Sequence, residues 1–176
     1  YREDPYAAMD ESYAGLQSLE ALNNSMEDIL SDFQSKTTRD MAHKFRTILR
    51  DVLTLSKAQE SLKNETTDIP RNSPRLGKLA GQQQMLQDQL TQTMANTMEL
   101  SRETFLVSPE MGQKLGMSFA QMNASKGKLA ERNGSGSLGN QNQAMLALNE
   151  GAKTIIKTIQ QMQESGSASG YEEFLK

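Results

Sequence analysis

The sequence has no cysteine, no tryptophan and a single histidine, and only 5% of its residues are aromatic. Without cysteine there is no disulfide, no thiolate metal site and no cysteine nucleophile. One imidazole, His43, disfavours a zinc centre, which draws on two or more nitrogen or sulfur ligands, and leaves a Ser-His triad only if that residue serves it. No run of 18 apolar residues occurs, so nothing in the chain reads as a membrane span. The net charge is -3, which gives no general basic field for nucleic acid. With 36% hydrophobic residues, a two-sheet sandwich or a fully buried parallel sheet is not expected. The 176 residues allow one domain of ordinary size or part of something larger.

What is present is a repeated helical pattern. Apolar residues recur at alternating steps of three and four, which fits a helical stripe and not strand alternation. The first seam runs Met9, Ser12, Leu16, Leu19, Asn23, Met26, Leu30 and Phe33, widened by Tyr13, Leu22 and Ile29. The second runs Met41, Phe45, Ile48, Val52, Leu55, Gln59 and Leu62, widened by Leu49 and Leu53, and the third runs Leu76, Leu79, Gln83, Leu86, Leu90, Thr93, Thr97 and Leu100. A fourth, weaker seam holds Met111, Leu115, Met122 and Leu129, with Ser118 and Ser125 at the alternate positions; the last holds Met145, Leu148, Ala152, Ile155, Ile159 and Met162. The fold class is therefore all-α: an elongated antiparallel bundle of four to five helices with coiled-coil-like seams.

Punctuation sets the expected bounds. Asp4-Pro5, Ser73-Pro74 and Ser108-Pro109 each place a capping side chain before a proline at the first helical position, and Thr37 with Asp40 has capping-box-like spacing. Breaks are expected at 66–74, 104–109, 133–140 and 165–170, which gives helices over about 5–34, 37–65, 74–103, 109–132 and 140–164 in a single bundle region, 1–176. No Gly or Pro separates the first two helices near Gln34–Lys36, so one long kinked helix is the alternative there. GSGSLG (134–139) lacks the Lys-Ser/Thr of a phosphate loop and has a flexible linker's composition. Both ends read as cut. Tyr1 stands where a Met would, with no signal-peptide pattern after it, and residues 170–176 start a further helix with Tyr171, Phe174 and Leu175.

Candidate chemistry is sparse. Asp40 and His43 stand at i and i+3, half of a bundle di-metal motif, but no second His exists and Glu27, Glu60 and Glu99 lie off the apolar seams. His43 reads instead as half-exposed beside a helix N-terminus. The eleven Met residues mostly occupy or flank the seams, which favours core filling over copper binding. No cofactor is implied, and no nucleophile–base pair supports an enzyme. The polar seam residues Asn23, Gln59, Gln83, Thr93 and Thr97 carry two readings: register control, or the lining of an internal ligand pocket. On the first, Gln59→Leu should hold or raise thermal stability while permitting other association states. Charge is segregated too. Residues 1–34 carry one basic and eight acidic side chains, net -7, and residues 35–66 carry seven basic and four acidic, net +3.

Several strings together resemble a known group. LSKAQESLKNET (55–66), NSPRLGKLAGQQQMLQDQL (72–90), TFLVSPEMGQKLG (104–116), NQAMLALNEGA (142–152) and MQESGSASG (162–170) are similar to the Gln-rich helical part of large bacterial membrane proteins classed as domain of unknown function 4175. The resemblance covers about residues 50–176. It implies a parent with N-terminal transmembrane helices followed by long helical segments, and it implies no catalytic or ligand residues. The expected role is a structural or protein-interaction region of a membrane-anchored bacterial protein, with protein partners or self-association. The membrane is then reached only through the parent's transmembrane segments, and the lack of cysteine is compatible with a periplasmic location. The alternative is a sensory bundle that binds a small ligand near Asn23, Gln59 and Gln83.

Overall fold

A run of 54 residues without Gly or Pro, from Leu16 to Ile69, explains the longest element. In the computed structural model α1 spans Pro5–Thr67, followed by α2 (Arg75–Glu103), α3 (Pro109–Ala130) and α4 (Gly134–Phe174). The backbone is described for residues 5–174 and the side-chain environments for residues 20–164. The expected seam side chains Met9 to Leu19, and Tyr171, Phe174 and Leu175, lie outside the described side chains. Among the described residues the chain is all-helical, with the helices packed on one another. Residues 34–37 lie inside α1, so the two helices expected over 5–34 and 37–65 are one, because nothing in that stretch breaks a helix.

The chain divides into two compact units, Tyr1–Met41 and Ala42–Lys176, where the sequence pattern suggests a single bundle region. In the first unit every side chain from Glu20 to Gln34 is exposed. The second unit holds the core. Phe45, Ile48, Val52 and Leu55 of α1, Leu76, Leu79 and Leu90 of α2, Met111, Leu115 and Met122 of α3, and Leu148 and Ile155 of α4 are all buried. Steps of three and four connect these positions along each helix, as a buried stripe requires. Hydrogen bonds then tie the helices together in sequence order. Gln59 pairs with Gln83 and Lys44 with Glu103 between α1 and α2, and Gln87 Nε2 donates to Asn123 Oδ1 between α2 and α3. Ser118 Oγ donates to the Ala144 carbonyl between α3 and α4, and Gln141 Nε2 donates to Thr66 Oγ1 between α4 and α1.

The glycine-rich stretch 133–140 is helical rather than a linker. Asn133 Oδ1 accepts from Gly136 N at 2.9 Å, so Asn133 caps α4, and Ser137 Oγ donates to the Gly134 carbonyl at 2.7 Å. Two of its three glycines, Gly134 and Gly136, stand where a Cβ would meet close neighbours. A Cβ at Gly134 would come within 2.9 Å of Leu76 Cδ2, and one at Gly136 within 2.4 Å of the Asn133 amide. The break expected at 165–170 is likewise absent from the backbone of α4. At α3 the expected cap holds: Ser108 Oγ accepts from Met111 N at 3.3 Å, with Pro109 at the first helical position. Of the Ser residues that weaken the α3 seam, Ser118 bonds the backbone of α4 through its Oγ.

The end of α3 is strained in one place. Asn133 N donates to the Lys128 carbonyl at 2.8 Å and Arg132 N to that of Leu129 at 3.0 Å, the double closure of a Schellman turn. That turn puts Arg132 at φ 59°, a left-handed conformation that side chains disfavour. Arg132→Gly is therefore expected to raise stability by about 0.5–1 kcal/mol in a denaturant melt. A fall in stability would show that the Arg132 side chain contributes more than the strain removes.

Candidate functional site: a buried glutamine layer and an uncovered acidic seam

The five polar seam residues separate once placed in the structure. Gln59 and Gln83 are fully buried and bond each other reciprocally: Gln59 Nε2 donates to Gln83 Oε1 at 3.0 Å, and Gln83 Nε2 donates to Gln59 Oε1 at 2.6 Å. Ser125 Oγ adds a third bond, donating to Gln83 Oε1 at 3.1 Å, so one layer joins α1, α2 and α3. Such a pair satisfies only one register between its helices, since a one-turn slip would strand both amides in the core. Thr93 and Thr97 are buried but turn back on their own helix, donating to the carbonyls of Gln89 and Thr93. Asn23 lies in the first unit, exposed, with Nδ2 donating to Glu27 Oε1 at 3.1 Å.

Sequence reasoning missed part of this polar framework. Ser125 stood out only as a weak seam position, because periodicity on one helix does not give its partner on another. Gln141, buried and bonded to Thr66, lies at the edge of a stretch read as a linker. Ser56 Oγ donates to Asn149 Oδ1 at 2.8 Å between α1 and α4, and neither residue drew notice, being small or off the seam.

The seam of the first unit has a different character. Leu22, Met26, Ile29, Leu30 and Phe33 are all more than half exposed, with Phe33 at 68%. Single exposed apolar residues are ordinary; these five fall on one contiguous helical stripe. Beside it stand Glu20, Glu27, Asp28 and Asp32, and no Lys or Arg occurs between Glu20 and Ser35.

Other features bear on ligand readings. His43 is exposed within α1, not beside a helix N-terminus, because that helix continues through the expected start at residue 37. It lines an open cavity of about 270 Å³ with Ile48, Asn96 and Glu103. A second cavity, of about 470 Å³, lies between α2 and α3 against Met94, Met98, Val107 and Leu115; of the five polar candidates only Thr97 lines it. Among the described residues no three His, Asp or Glu side chains are grouped to hold a metal ion, and no helix is long and apolar enough to cross a membrane.

One ion pair responds to pH. Lys114 Nζ lies 2.5 Å from Glu150 Oε2, linking α3 to α4. The hydrogen bond from Lys114, with its charge, holds the Glu150 carboxyl below its ordinary value, and the same bond raises Lys114. A depressed carboxylate contributes stability above its unfolded pKa and loses it as pH falls through the folded one; the raised lysine contributes below its unfolded pKa and loses that as pH rises through the folded value. Solvent reaches both groups, so the effect is small. Glu150→Gln should slightly flatten the decline of stability across the carboxylate range, measured by urea melts from about pH 7 to about pH 3. An unchanged slope would mean that the pair contributes nothing to folding. Comparison with protein-family models, with curated proteins and with solved structures returns no match.

Proposed function

We propose that this chain is a structural and protein-interacting helical region of a membrane-anchored bacterial protein, and that it carries out no catalysis. The carrying observation is the uncovered stripe from Leu22 to Phe33, an apolar helical face with nothing of its own described unit packed on it. The second unit acts as scaffold, an antiparallel bundle with coiled-coil-like seams. Its hydrogen-bonded pairs support that arrangement, since positions rise on one helix as they fall on the next: 44 with 103 and 59 with 83, then 56 with 149 and 66 with 141. The link to a membrane rests on the resemblance over residues 50–176 and passes through the parent's transmembrane segments.

The sensory reading has less support. Asn23 belongs to the first unit and Gln59 and Gln83 to the second, and those two glutamines spend their amides on each other. A photo-crosslinking residue at Ile29 of the intact protein in its own cells tests the interaction reading. Crosslinks to a polypeptide are expected from Ile29 and not from Met85, an equally exposed apolar site on the bundle (67% against 62%). Equal yields at the two positions would overturn the proposal.

A further inference from the structure

Charge decides what can cover the α1 stripe. Place Asn23 and Leu30 at heptad position a, and Met26 and Phe33 at d. Leu22 and Ile29 then fall at g, and Glu20 and Glu27 at e. The face is thus apolar across g, a and d, with carboxylates along its e edge. It runs for two heptads, roughly 21 Å.

A second copy fits this face poorly. Packed antiparallel, it sets the e edge against itself, Glu20 and Glu27 facing the same carboxylates. Packed parallel, it sets those carboxylates against Leu22 and Ile29 of the copy, which offer no cation. Each copy would also bring the net -7 of residues 1–34. The polar a residue, Asn23, already spends its amide on Glu27. A helix with an apolar seam and basic flanks meets the same face with none of these conflicts.

We propose that residues 20–33 of α1 dock an amphipathic helix of another protein whose apolar seam is flanked by Lys or Arg. This rests on the protein-interaction reading and specifies the partner it takes. Glu20 and Glu27 select the partner by its flanking charge, and Leu22, Met26, Leu30 and Phe33 supply the buried contact.

Two synthetic helices with one shared Leu/Ile seam, one carrying Lys at the flanks and the other Glu, test it by fluorescence anisotropy against the whole chain. The Lys-flanked helix is expected to bind about tenfold tighter at low salt. The gap should close as salt rises from about 0.01 M to about 1 M and the screening length falls from about 30 Å to about 3 Å. Leu30→Asp adds negative charge yet should weaken the Lys-flanked helix at least about tenfold, and Glu20→Lys with Glu27→Lys should reverse the preference. All these positions are exposed, and circular dichroism checks that the variants keep their helix. Equal affinity for the two helices, no binding of either, or undiminished binding by Leu30→Asp would overturn the proposal. So would self-association in sedimentation equilibrium that Leu30→Asp abolishes, since the occupant would then be a second copy. Crosslinks from Ile29 without any charge preference would remove this partner class and leave the interaction reading standing; no crosslinks would remove both.

Discussion

Phe45→Ala is expected to destabilise the bundle by about 3–5 kcal/mol, whereas Phe33→Ala should change its stability by less than about 0.5 kcal/mol. The two phenylalanines sit on one helix and in one kind of seam, yet Phe45 is fully buried and Phe33 is 68% exposed. Truncating Phe45 removes the transfer free energy of a ring and leaves a cavity among its packed neighbours. Truncating Phe33 removes surface that water already reaches. Urea melts of both variants measure the contrast. A loss above about 1.5 kcal/mol for Phe33→Ala would mean that the stripe is covered within the chain itself.

The second large effect lies in the glutamine layer and has the opposite sign to the sequence-based expectation. Gln59→Leu is expected to lower stability by about 1–3 kcal/mol, because Gln83 would keep a buried amide with neither donor nor acceptor from α1. Gln59→Leu combined with Gln83→Leu should recover most of that loss, since Ser125 then loses one bond and no amide stays unpaired. The double-mutant cycle should therefore show strong positive coupling, and the double variant should relax register and permit other association states. Additive losses from the two substitutions would show that the pair is not a unit.

Periodicity made the helices and most of the core readable. Phe45, Val52, Leu79, Leu115 and Ile155 were placed in seams by steps of three and four, and all are buried. The same periodicity could not distinguish a seam that is covered from one that is not, and Met26 and Leu30 follow the pattern as faithfully as Ile48 and Val52. Coverage depends on which helices come together, and that information is spread over the chain. Glycine misled in the stretch 133–140. Composition suggests flexibility there, but the stretch is helical, and a Cβ at Gly134 would crowd Leu76, a contact with a residue 58 positions away. Within the candidate site, Gln59 and Gln83 were readable as polar residues in apolar stripes. Their mutual bond was not, because the relative register of two helices is invisible in either one.

The proposed division of α1 is between a core-forming part, buried from Phe45 to Leu62, and an exposed part from Leu22 to Phe33 that takes a partner. Amide hydrogen exchange along α1, at a concentration where the chain is monomeric, tests it most directly. Residues 45–62 should exchange only as slowly as global unfolding allows, and residues 22–33 orders of magnitude faster, with protection gained when the Lys-flanked helix is added. Protection of residues 22–33 equal to that of residues 45–62 in the chain alone would contradict the claim, because the stripe would then already be buried.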